Sequence, residues 1–268
     1  MRYLIQIFII ILLIGSNISV AEEKLSEEET IKNFFSKPLD PEILKARKKN
    51  IIVKDGRLVK VIFPDESSRV PGLKEFLDKL KKVVEAKNLS ELKTMVHPNV
   101  NCGNDYPEEP FNRIDHCVKE SVFGYIKSYL NFGGCFYGPY GRADSYMIPS
   151  YIACFSQKDF PETASKNDYW RLAFVLKNIK MYAKPSYSST ASSLSTGAAI
   201  SNEQYISYDP ETKKELSESW YQFTRVSDGT TGYIGDNELD SIFRSGMDER
   251  GIHITYDFQQ KKWLIRDL

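Results

Sequence analysis

Histidine and cysteine are scarce in this 268-residue chain: His97, His116 and His253 are the only histidines, and there are four cysteines. Charge of one sign is equally lacking, since 36 basic residues face 36 acidic ones. A nucleic-acid binder needs a basic excess or stripe, so that class is set aside. No long hydrophobic run exists. The one apolar stretch, residues 4–15, is about twelve residues long, short of the roughly 20 that span a bilayer. Missing too are G-x-S-x-G, H-E-x-x-H and P-loop patterns. What is present, 41% hydrophobic and 13% aromatic residues, is enough to build a core.

The short apolar run has a specific meaning at the N-terminus. Arg2 precedes it, and Ser19 and Ala21 follow in a small-x-small relation. That is the layout of a secretory signal over residues 1–21, cleaved after Ala21, rather than a retained anchor. The expected location is periplasmic or secreted, with no membrane span after signal cleavage.

Cys102, Cys117, Cys135 and Cys154 lie close together in the chain and fit that compartment as two disulfides. Of three connectivities, Cys102–Cys117 with Cys135–Cys154 closes two short local loops and is the one expected. Zinc sites bring their cysteines in C-x₂₋₄-C pairs, a spacing missing here, so no metal is expected.

Residues 22–70 read as an arm, acidic then basic, with a β-hairpin turning at Asp55-Gly56 between β-branched runs. Residues 71–168 read as a disulfide-containing helical domain. Leu73, Phe76, Leu77, Leu80, Val83 and Val84 recur at helical spacing. Asn88 and Glu91 form a capping box for a second helix that Pro98 ends. A third helix is expected over 113–131, before Gly133-Gly134. Aromatic-rich irregular strands follow, from 134 to 160. Residues 169–268 read as short strands, with the serine-rich 186–196 as a flexible loop and a closing hairpin at the end. The fold class is therefore α+β.

Three stretches carry a family resemblance. Residues 179–186, IKMYAKPS, resemble the first strand of bacterial SH3-like domains, and Thr196-Gly197 their small-residue turn. Residues 220–234, WYQFTRVSDGTTGYI, resemble their aromatic strand, D-G turn and G-[YW]-[IV] strand. Where the family's first strand commonly carries Asn and Arg, this chain has Lys180 and Tyr182. Lys262-Trp263-Leu264-Ile265 extends the likeness to exported bacterial proteins of uncharacterised function that pair a helical region with such a domain. The resemblance implies a small SH3-like β-barrel, no catalytic residues and no cofactors.

The chemistry points the same way. Each histidine lacks a free thiol partner, and the carboxylates of the 99–165 region, Glu108, Glu109, Asp115 and Glu120 among them, show no pairing that singles out a glycan hydrolase. SH3-like barrels bind extended peptides on aromatic grooves, and Tyr182, Tyr187, Tyr205 and Tyr221 (with Tyr208 nearby) are the ligand-binding candidates. Trp220 and Tyr233 are expected to fill the interior. The reading is a non-catalytic, exported binding module of the cell envelope whose partner is peptidoglycan or an envelope protein. The alternatives are an envelope hydrolase using those carboxylates and a purely architectural barrel.

Overall fold

The computed structural model describes residues 25–102, 112–137, 144–148, 154–165, 172–244 and 251–268. The proposed signal segment, Glu108 and Glu109, and much of the 134–160 stretch lie outside these.

The expected arm is two helices. Ser26 and Glu29 form a reciprocal capping box that starts α1 (Glu27–Ser36). Asp40 caps α2 (Pro41–Lys48), with Pro41 in the first turn, where its missing N–H costs nothing. A two-stranded hairpin follows, β1 (Ile51–Lys54) and β2 (Arg57–Val61), turning through positive φ at Asp55 and Gly56. The amphipathic α3 (Leu73–Glu85) buries Leu73, Leu80, Val83 and Val84. Asn88 caps α4 (Leu89–Thr94) by accepting from the Glu91 N–H, but the expected capping box is only half made: the Asn88 backbone N–H donates to the Val83 carbonyl, and Glu91 accepts from the Asn88 side-chain amide instead. Pro98 then lies inside β3 (Val96–Asn101) rather than at a helix end.

The helix expected over 113–131 is broken in two, α5 (Arg113–Cys117) and α6 (Val122–Tyr129). Cys117 is bonded to Cys102 at the end of β3, and Val118 leaves helical geometry to bury itself to 1% exposure. The second disulfide joins Cys135, first residue of β4 (Cys135–Tyr137), to Cys154. Both pairings are the local ones expected from spacing, and they suit an oxidising, extracytoplasmic environment. Beyond β5 (Ser145–Ile148) and the short α7 (Glu162–Ser165), the chain is strand-rich.

The strands are β6 (Ala173–Val175), β7 (Ile179–Tyr182), β8 (Ala191–Leu194), β9 (Ala199–Tyr208), β10 (Glu215–Arg225), β11 (Thr231–Gly235), β12 (Ile242–Arg244), β13 (Ile252–Asp257) and β14 (Lys262–Asp267). Seven of them form one sheet in the order β12-β6-β9-β10-β11-β7-β8. The mixture of helices and sheets is α+β, but the sheet is not closed, because β12 and β8 remain its edges. Its small core, Val175, Ile179, Met181, Ile200, Phe223 and Ile234, is covered instead by Leu239 from the 3-10 turn Asp236–Ser241. The serine-rich segment also departs from expectation. It turns through a hydrogen-bonded hairpin, with the Ala183 N–H on the Thr190 carbonyl, and ends in β8.

The C-terminal hairpin does not join that sheet. β13 pairs with β5, and β14 runs parallel to β3, giving the order β3-β14-β13-β5-β4. The reason is apolar burial: Ile252, Ile254, Trp263 and Ile265 all enter the main core with α3, α6 and β4. The Trp263 indole N–H donates to the Pro71 carbonyl at 3.0 Å. Phe174 and Ala199 reach the same core from the seven-stranded sheet, so the two sheets share it. Among the described residues no helix is long and apolar enough to cross a membrane.

His97 on β3 illustrates how the shared sheet sets a titration. Its Nδ1 accepts from the Asn99 N–H and lies 3.0 Å from the Arg266 guanidinium, while Nε2 sits 3.6 Å from Asp257. Burial and then Arg266 hold its pKa below the usual histidine value, against the pull of Asp257. The unfolded chain therefore takes up this proton first, and stability from this site is lost as pH falls below about 6.5. Wild type is expected to lose more stability than His97→Gln between neutral pH and about pH 5. Urea midpoints measure it, and parallel pH profiles for the two proteins would refute it.

Candidate functional site

Trp220 stands in β10 directly opposite Gly235 of β11. A glycine there leaves the space above the indole open, and Tyr187 fills it from the β7–β8 turn. The two rings lie 4.6 Å apart and tilted by 47°. A Cβ at position 235 would collide with the Tyr187 hydroxyl, so only glycine permits this stacking. The hydroxyl donates to Asn237 Oδ1 at 2.9 Å, which fixes the ring. Tyr182 completes the group edge-on, 5.6 Å from Trp220 and 5.4 Å from Tyr187. Trp220 is 2% exposed, as its interior assignment required, yet it lies beneath tyrosines and not in the small core.

The same face continues across the sheet. Tyr182 is opposite Tyr233, Tyr233 opposite Gln222, and Gln222 opposite Gln204. The Gln222 amide donates to the Tyr233 hydroxyl at 2.9 Å. Tyr187 is 43% exposed at the top of this row, and Tyr182 is half-buried beside it.

Tyr205 and Tyr221 are not part of that face. They are register partners, with rings 5.4 Å apart. Because Tyr221 follows Trp220 in the strand, its side chain points to the opposite side of the sheet. Tyr221 packs on the small core and Tyr205 is exposed at its rim. The four tyrosines thus divide into two pairs on opposite faces, not one groove. Sequence reasoning missed Gly235 and Asn237. The available signal was the G-Y-I-G-D-N run, whose last glycine lies opposite the tryptophan.

Burial, then the Glu218 carboxylate, and beyond it Tyr182, Glu238 and Asp236, push the Tyr187 hydroxyl above the ordinary tyrosine pKa. It is a neutral donor at physiological pH, and its surroundings are acidic.

Comparison with known protein families, with curated proteins and with solved structures finds no match. The SH3-like resemblance therefore rests on the residues quoted for it.

Other sites are less open to a ligand. A cleft of about 130 Å³ is lined by Asp65, Lys74, Asp78, Lys81 and Tyr146. Its charges are engaged at home: Lys74 meets Asp78 at 2.9 Å, and Asp65 accepts from the Ser67 N–H and the Tyr146 hydroxyl. Burial and then Asp65 hold Tyr146 protonated far above the usual range. Asp115 and Glu120 are exposed, and Asp115 is paired with Lys93. Neither occupies the dry pocket a glycosidase acid requires. Among the described residues no group of three His, Cys, Asp or Glu side chains is placed to hold a metal.

Proposed function

We propose that this chain is an exported, non-catalytic binding module of the cell envelope, whose open seven-stranded sheet is an SH3-like unit that recognises an extended peptide. A peptidoglycan stem peptide is the ligand proposed, with a segment of an envelope protein as the other member of the class. The observation that supports the reading is the anchored Tyr187, exposed over a buried Trp220 and flanked by Tyr182. Rigid aromatic rings on a sheet face offer large contact area at little entropic cost, which is how peptide grooves are built. Partial exposure also favours binding over a purely architectural role, since Tyr187 keeps 43% of its surface open despite its contacts with Trp220, Tyr182 and Asn237.

Co-sedimentation of the oxidised mature chain with purified sacculi tests this. Wild type is expected to sediment, and Tyr187→Ala to weaken binding about tenfold, the scale of a hot-spot residue. Tyr205→Ala, on the opposite face, is expected to sediment like wild type. Failure of wild type to sediment would remove the wall as ligand, and equal loss in both variants would remove this face as the site.

A further inference from the structure

The binding face has a charge that the whole chain lacks. Glu218 stands two residues before Trp220 in β10 and is exposed. Asp236 and Glu238 flank Asn237, the residue that anchors Tyr187. Among the described residues none of these three carboxylates is in an ion pair with a basic side chain. The lysine of the same turn, Lys184, is committed at 2.7 Å to Glu211. A chain of zero net charge thus carries an acidic rim around its exposed aromatic group.

Aromatic faces attract cations through the ring quadrupole, and carboxylates around the rim add a field of the same sense. An anionic group would meet three unpaired negative charges. We infer that the ligand presents a cationic group, a lysine or arginine side chain or the free amine of a peptide, to the outer face of Tyr187 within the rim formed by Glu218, Asp236 and Glu238. This rests on the reading of the Tyr182–Tyr187–Trp220 face as the binding face, and it names what that face selects. Tyr187 supplies the ring, Asn237 fixes its orientation, and Gly235 leaves room for it. The carboxylates discriminate lysine from an apolar isostere of similar length.

Titration of the full mature chain with two blocked tripeptides, acetyl-Ala-Lys-Ala-amide and its norleucine counterpart, tests the inference through the Trp220 indole ¹⁵N–H resonance. The lysine peptide is expected to shift that resonance and to bind about tenfold more tightly than the norleucine peptide, with added salt narrowing the gap. Tyr187→Phe is expected to keep the preference and Tyr187→Leu to lose it. The double variant Glu218→Gln, Glu238→Gln leaves the ring and Asp236 in place, and is expected to narrow the lysine preference without abolishing it. Equal binding of the two peptides to wild type, or no response to either, would overturn the inference. If sacculi were still retained and released by Tyr187→Ala, the wall-binding reading would survive that result. If the lysine preference held while sacculi failed to sediment, the wall reading would fall and the cation site would stand.

Discussion

Glu66→Ala is expected to destabilise the protein by about 3–5 kcal/mol, the scale of breaking a buried ion pair by removing one partner. Glu66 is among the least exposed charges of the described residues, at 3% against 4% for Arg47. The pair is bidentate, with Arg47 donating Nε to one carboxylate oxygen at 2.8 Å and a terminal nitrogen to the other at 2.7 Å. The Phe136 N–H also donates to Glu66, and Arg47 returns a bond to the Phe136 carbonyl. One carboxylate thus joins α2, the segment after the first hairpin, and strand β4. Alanine would strand a guanidinium in the interior and leave a backbone N–H unpaired. Arg47→Met combined with Glu66→Leu removes both charges and is expected to be less damaging than Glu66→Ala alone. Urea unfolding of wild type and the two variants measures the difference. A single variant within about 1 kcal/mol of wild type would show that water reaches the pair.

The second large effect lies in the Cys135–Cys154 bridge. Its sequence separation is 19 residues, and closing a loop of that length removes about 3 kcal/mol of unfolded-state entropy in the chain-entropy model. Both cysteines are buried, Cys135 fully and Cys154 to 3% exposure. Cys135→Ala with Cys154→Ala is therefore expected to lower the melting temperature by about 6–12 °C. Alanine is preferred to serine because a hydroxyl at position 135 would be buried beside β5. Calorimetry of oxidised wild type and the double variant decides it, and a shift below about 2 °C would mean the rest of the core already restricts this segment.

What could be read from the sequence was what is encoded locally. The Asn88–Glu91 cap, the stripe of α3, the Asp55-Gly56 turn and the two short-range disulfides each involve residues close in the chain. The partners of the last hairpin could not be read, because alternating Ile254, Trp263 and Ile265 suit either sheet. Which sheet they enter depends on cores assembled from distant segments. The grouping of the tyrosines could not be read for a sharper reason. Along a strand a single step reverses the face, so Trp220 and Tyr221 are neighbours in sequence and opposed in space. No spacing rule could seat Tyr187 on Trp220 either, since the gap that admits it is a glycine on another strand. The Arg47–Glu66 pair was hidden among 72 charged residues, with nothing local to set it apart.

The parallel pairing of β14 with β3 has a bearing on how the chain comes into being. Trp263 and the Pro71 carbonyl it bonds are 192 residues apart in sequence. The five-stranded sheet has an empty slot between β3 and β5 until the last strands of the chain arrive to occupy it. A chain emerging from the ribosome, or threading a translocation channel from its N-terminus, holds α3, α6 and β4 without the partner that seals their core. Closure of this core must then wait for the last strands, whereas the seven-stranded sheet, with its own core, needs neither of them.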